Sequence, residues 1–426
     1  MYANLTFKTP DDGFHYFFGY YDKSPLSKDY TKLLALKVSF LNRLPSANDI
    51  AVVGYFDLKK ENQFVELAQT RTFNWQQGCM LQWLGPEHNK KIIFNDLIDG
   101  KFKSVILNIE DGSRQTLSMA VYSVFLNGEK ALCIDNERHH WCRRGYSYDG
   151  VYNKEKNKNI VTDDGIYLLD FKTDTLTQIV KIEQMNKIKP LNTMSDGANY
   201  LEHLMINPSG TKFVFLHRWK SFGGIYARLY VSNIDGTDIK LLNDSGRMSH
   251  FCWKSENEIL GWGGLKNPIN ILRRYKGFSR YFIKPLMPLY RKIARGDSVQ
   301  GTTKISRIAS GDSYIIFDLR TGKAKRILER SLRKDGHPSI CPSNQNVLLT
   351  DTYPGTEHQC QLLIAEITAD KTYELDRLNS LAQYDNSPLR CDLHPKWSFC
   401  GNFICIDTMH DGIRGMFLYK LVTSDF

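Results

Sequence analysis

Apolar residues in this chain fall in short runs separated by polar turns, and helical spacing is scarce. Lys32-Leu-Leu-Ala-Leu-Lys-Val-Ser-Phe and Ile50-Ala-Val-Val-Gly-Tyr-Phe-Asp-Leu, split by a polar loop, predict two strands. Lys91-Ile-Ile-Phe-Asn-Asp, Lys103-Ser-Val-Ile-Leu-Asn-Ile and Gln115-Thr-Leu continue as a meander with a hairpin turn at Asp111-Gly112. The same strand-turn-strand ending returns at Gly165-Ile-Tyr-Leu-Leu-Asp, Leu229-Tyr-Val-Ser-Asn-Ile-Asp-Gly and Tyr314-Ile-Ile-Phe-Asp-Leu. Each predicts the outer hairpin of a small sheet.

Four histidines open one recurring phrase: His203-Leu-Met-Ile-Asn-Pro-Ser-Gly, His250-Phe-Cys-Trp-Lys-Ser-Glu-Asn, His337-Pro-Ser-Ile-Cys-Pro-Ser-Asn and His394-Pro-Lys-Trp-Ser-Phe-Cys-Gly. Each has an apolar residue three positions on, then a turn, then a β-rich run. A phrase repeated in this way marks a repeated β-unit, so the expected fold is all-β. The expected architecture is a β-propeller of seven blades, each of four antiparallel strands, spanning 1–426 as one domain. Equivalent positions in successive blades share a radius, which would gather the four imidazoles near the central channel.

One segment breaks the repeat. Residues 266–296 carry nine Lys/Arg and no acidic residue among Ile, Leu, Phe, Tyr and Met, which predicts a basic, amphipathic, partly helical insertion. Such a stretch can lie in the headgroup region of an anionic bilayer, or it can pack its apolar side on a blade. Proline and glycine at 268, 277, 285 and 288 limit any helix there. Lys+Arg exceed Asp+Glu by 56 to 46, a net charge of +10 that favours acidic partners. No nucleic-acid-binding motif accompanies that charge. The nine cysteines show no metal-type spacing and read as small core residues in a reducing compartment. With neither a signal-like first segment nor a run long enough to cross a bilayer, the expected location is the cytoplasm, peripheral to the inner membrane face at most.

Three constellations carry chemistry. The histidines at 203, 250, 337 and 394, joined by His217, suit a divalent metal such as zinc, manganese or calcium, or an acid–base site. In a structural role each would simply cap its own strand. A second cluster, Asp135-Asn-Glu-Arg-His-His-Trp-Cys-Arg-Arg-Gly-Tyr-Ser-Tyr, follows a strand and offers His140, Arg143, Arg144 and Tyr146. Its arginines can clamp a carboxylate, and its tyrosine can serve as acid or base. An ion-paired surface loop would look similar. A third, Arg71 to Trp83 followed by Phe94-Asn-Asp, holds Trp75, Gln77, Gln82 and Asn95, the indole and amides that sugar sites use; buried propeller amides have the same composition. Arg218 and Arg414 are further candidates for substrate contact.

Gly19-Tyr-Tyr-Asp-Lys-Ser-Pro, Asn74-Trp-Gln-Gln-Gly, Arg143-Arg-Gly-Tyr-Ser-Tyr, His217-Arg-Trp, Asp335-Gly-His-Pro and Leu393-His-Pro-Lys-Trp-Ser together resemble the seven-bladed propeller lyases of uronate polysaccharides. The resemblance is to ulvan lyases and, more distantly, to oligogalacturonate lyases, over most of the chain outside 266–296. It implies β-elimination at a 4-linked uronic acid, with Tyr146 as the proton-transferring tyrosine and Arg143 or Arg144 as the carboxylate partner. It also implies that the five histidines supply a metal or its surroundings. Ulvan lyases carry two histidines upstream of that tyrosine, where this chain has Gln76, Gln77, Gln82 and Asn95, and amides do not shuttle protons. Two functions follow: a lyase acting on an acidic polysaccharide or oligosaccharide of the cell envelope or capsule, or a non-catalytic propeller binding glycan or protein in polysaccharide synthesis. A glycosyltransferase finds no support, because no Asp-x-Asp motif sits in an α/β context.

Overall fold

The computed structural model describes residues 1–221, 224–265 and 311–422, together with Tyr275 and Tyr281. Its strands form seven four-stranded antiparallel sheets, the blades of a β-propeller. The first six blades each use four consecutive strands. In the first these are His15–Phe17, Lys32–Val38, Ala51–Asp57 and Gln63–Thr70. The seventh takes Lys396–Trp397, Phe403–Thr408 and Gly415–Val422 from the end of the chain and Tyr2–Lys8 from its start. Tyr2 pairs opposite Val422 and Lys8 opposite Phe417, so a ladder between distant segments closes the ring.

The burial pattern explains which strands the sequence marks most strongly. Inner strands are covered on both faces by neighbouring blades, so Leu33 through Leu36 are all buried. Outermost strands are covered less, and every position of Lys371–Asn379 except the buried Leu378 is exposed or half-buried. The apolar core accordingly lies between blades: Leu362 and Ile364 of the sixth pack with Ile404, Ile406 and Phe417 of the seventh. The expected meander is present as Lys91–Ile98, Lys101–Asn108 and Arg114–Leu117. Asp99 and Gly100, both at positive φ, make its first tight turn, and Gly112 at φ 73° lies in the second.

The basic stretch 266–296 falls between Glu258–Gly264 and Asp312–Asp318 and, apart from the exposed Tyr275 and Tyr281, lies outside the described residues. The cysteines are free, and most are buried.

Candidate functional site

The four repeated histidines stand on, or just before, the innermost strands of blades four to seven. His203 lies within Tyr200–Ile206 and His250 within Met248–Trp253, while His337 and His394 just precede Ser339–Cys341 and Lys396–Trp397. Their rings form a continuous row, with centroids 5.6 Å apart from His203 to His250, 4.2 Å from His250 to His337 and 4.3 Å from His337 to His394. His203 and His394 hold φ at 54° and 43°, and a register shift between Glu202 and Met205 interrupts the ladder around His203. Bulged, left-handed positions turn a side chain out of its strand's alternation at a cost in backbone strain.

The first blade supplies the packing beneath this row. Tyr20 stacks on His203 at 5.2 Å and meets His394 at 5.5 Å, while Tyr21 meets His337 at 5.5 Å. Gly19 makes that crossing possible: at φ 116° it passes the Asn74–Gly78 loop so closely that a Cβ would lie 2.5 Å from the Gln77 carbonyl carbon. Two motifs far apart in sequence are therefore one contact.

At the His203 end, Glu202 is fully buried. It accepts two hydrogen bonds from Arg143 Nη1 at 2.7 and 2.8 Å and one from His139 Nε2 at 3.0 Å, and Arg218 Nε lies 2.7 Å from its Oε1. Burial alone would raise its pKa, but Arg143 and Arg218 hold it well below the usual carboxylate range. Burial also keeps His203 and His250 well below 6.5, so both are neutral near pH 7. Two guanidiniums share one carboxylate, and the surplus positive charge suits an anionic ligand. The Arg143 guanidinium also lies 3.6 Å above the Tyr146 ring.

At the other end, one ligand atom from each of His337, Asp392 and His394 lies within 4.8 Å of the others. Asp351 organises this group, accepting from His337 Nδ1 at 2.9 Å, from the His337 backbone N–H at 2.8 Å and from the His394 N–H at 3.2 Å. With Nδ1 engaged, His337 presents Nε2 as its ligating atom, the usual carboxylate-oriented imidazole of metal sites. Burial would lower the His337 pKa, but the Asp351 carboxylate outweighs it and raises it. Asp392 accepts from Arg390 Nε at 2.5 Å and Nη2 at 2.7 Å; Arg390 overcomes the upward push of burial and lowers the Asp392 pKa. Two imidazoles and an ionised carboxylate fit manganese or zinc better than calcium, which takes oxygen ligands.

A cavity of about 460 Å³ lies against the middle of the row, where Ser249 Oγ is 2.9 Å from His250 Nδ1; Arg218, Arg247, Ser249, Trp262, Asp335 and Tyr353 are among its lining residues. Burial pushes Asp335 up to about 7. Tyr353 also packs against His337 at 5.4 Å and under the Arg390 guanidinium at 4.9 Å, linking the cavity to the metal-type group.

Of the other sequence candidates, His217 stays within its blade, bonded to Asn199 and packed on Trp219, apart from the histidine row. Arg144 is exposed on the loop, and His140 is half-buried with its Nε2 3.8 Å from Asp149. Trp75 is 1% exposed, its indole N–H spent on the Arg43 carbonyl and its face under Arg414 at 4.8 Å. Arg414 bonds the carbonyls of Trp75, Leu389 and Arg390. Asn95 bonds Ser104 within the second blade and Val121 and Tyr148 on the side of the third, so its amide is spent between blades. Gln77 donates to Tyr122 Oη, which in turn accepts the His203 N–H, so it reaches the row only indirectly. Gln82 lines a separate cavity of about 250 Å³ with Tyr21 and Lys23 at the far end of the innermost strands.

Sequence reasoning missed Glu202, Asp351, Asp392, Arg390, Asp335 and Tyr353. A signal was present for two of them: Asp335-Gly-His337 and Asp392-Leu-His394 repeat one Asp-x-His spacing, which puts carboxylate and imidazole on the same side of an extended segment.

No protein-family profile and no curated protein matches this chain. Solved structures do. An oligogalacturonate lyase in complex with manganese superposes with a TM-score of 0.61 at 12% identity, covering 99% of this chain and 97% of the other. The oligogalacturonate lyase of Vibrio parahaemolyticus gives 0.60 at 10% identity, with 99% and 98% covered. Hydrazine synthase of Kuenenia stuttgartiensis gives 0.52 at 9%, with 95% and 96% covered. At these identities the likeness is one of fold. These matches show the propeller fold and do not show the finer resemblance to ulvan lyases.

Proposed function

We propose that this propeller binds a uronic-acid-containing glycan at the histidine row and cleaves it by β-elimination with the help of a divalent metal. The observation that carries the reading is adjacency: Arg218 and Tyr353 line one cavity, and Tyr353 packs against His337 of the metal-type His/Asp/His group. Its resemblance in fold to oligogalacturonate lyases, one of them a manganese complex, supports it. Held by His337, Asp392 and His394, the cation would neutralise a uronate carboxylate and so acidify the adjacent C5 proton.

This chain's own residues supply the rest. Arg218, fixed by Glu202 at the cavity wall, adds positive charge where the carboxylate becomes enolate-like. His250, neutral because it is buried beside other cations, accepts the C5 proton. The C5–H electron pair becomes the C4–C5 double bond as the C4–O bond breaks. Tyr146, under the Arg143 guanidinium, donates its phenolic proton to the departing oxygen. In the cell we place this activity in the cytoplasm, with the basic stretch 266–296 resting on anionic lipid where acidic polymers are assembled.

The test is incubation with galacturonate- and glucuronate-containing polymers plus manganese, following ultraviolet absorbance of the unsaturated product. Absorbance should rise, a chelator should abolish the rise, and His337→Ala should lower the rate by ~100-fold or more. One observation favours a second reading, glycan binding without turnover: Gln76, Gln77 and Asn95 are buried amides whose N–H groups are spent inside the fold. Retention of polymer with no absorbance from any of them would select it.

A further inference from the structure

We propose that the cleft beside the helix Asn136–Cys142 is a second sugar subsite, in which Trp141 stacks on the unit next to the one held at the histidine row. The inference rests on the functional reading above and specifies its substrate as an oligosaccharide bound across two subsites.

The cleft has a volume of about 510 Å³, and Trp141, Tyr200, Trp219, Ile225, Asp196 and Ser221 are among its lining residues. Trp141 is 46% exposed, whereas Trp219 is fully buried. An indole left in water forgoes the hydrophobic gain of burial, and a ligand face laid against it recovers that gain. A pyranose fits such a surface: its C–H face is apolar and its edge carries hydroxyls. The cleft matches both, with aromatic rings on one side and a rim where Ser221 Oγ donates to Asp196 Oδ2 at 2.5 Å.

Continuity with the proposed reaction site supplies the occupant. Ile225 lines both this cleft and the 460 Å³ cavity. Tyr200 lines the cleft while its cross-strand partner Arg218 lines the cavity, so one strand pair forms the ridge between them. Trp141 is two residues ahead of Arg143 at the same helix end, so the segment that bonds Glu202 also presents the indole. A glycan running from the metal-type group over the Arg218 ridge meets Trp141 next.

Calorimetric titration of the manganese-loaded full chain, with Tyr146→Phe present throughout so that bound oligomers are not cleaved, with di- and tetrauronates of galacturonate and of glucuronate, tests this. With Trp141 intact, the protein should bind the tetramer more tightly than the dimer. Trp141→Ala should reduce that tetramer-to-dimer affinity ratio by about tenfold, and Trp141→Phe, which keeps an aromatic face, should restore most of it. An intact protein that binds dimer and tetramer equally, or a Trp141→Ala ratio equal to that of the intact protein, overturns the subsite and leaves the functional reading standing. An intact protein that binds none of the four oligomers overturns the functional reading, and the subsite with it.

Discussion

Burial decides the protonation of most histidines at the centre of this molecule. His203, His250 and His394 are held neutral chiefly by desolvation, and only His337 of the row is pushed the other way, by Asp351. His217 is the clearest case outside the row. Burial first and Arg228 second depress it to about 3 from its ordinary 6.5. A depressed imidazole favours the folded state only while neutral, so its contribution is complete above about pH 6.5 and is lost as pH falls toward 3. Denaturant unfolding at pH 7 and pH 5 should therefore show the intact protein losing about 2 kcal/mol more than His217→Phe over that interval. Equal losses would mean that His217 carries its proton in the fold. Glu202 works in the opposite sense: its depressed pKa stabilises the fold above the ordinary carboxylate range and ceases to do so as acid protonates it.

At the scale of the element, the closing ladder and the bulges do the positioning. Tyr2–Lys8 covers the open edge of Gly415–Val422, and its Phe7 is buried against Phe56 at 5.1 Å, tying the seventh blade to the first. Removing residues 1–8 should lower the melting temperature by roughly 5 °C or more. It should also promote association through the uncovered strand. A truncated chain that melts like the intact one and stays monomeric in light scattering would show that the other blades close the ring alone. The bulge at His203 is the local counterpart. It could not be read from the chain because a register shift depends on the partner strand, Lys212–Ser221, as much as on the residues that bulge.

For the whole molecule the relevant quantity is charge. A net +10 with nine cations concentrated in 266–296 predicts attraction to anionic surfaces that salt weakens. Vesicles of anionic lipid should retain the intact chain, neutral vesicles should not, and deletion of 267–295 should release it. Equal retention after the deletion would assign the basicity elsewhere. The same net charge helps draw an acidic glycan toward the histidine row, where half-buried Arg143 and buried Arg218 outnumber the Glu202 they share.

The repeated His phrase, the alternating runs and the Asp-Gly turns were enough to indicate seven four-stranded blades, because those signals arise from local sterics and from faces that must be buried. They also singled out the row of imidazoles, since equivalent positions in a repeat share a radius. Amide and indole composition could not decide Trp75 and Asn95, which look the same in a sugar site and in a packed blade; the fold buries both. Only folding could decide that Asp351 clamps two histidine backbones, that Glu202 anchors two arginines, or that Trp141 stays wet beside Arg143. Those facts depend on distances between segments far apart in the chain, which hydrophobic patterning along one strand does not encode.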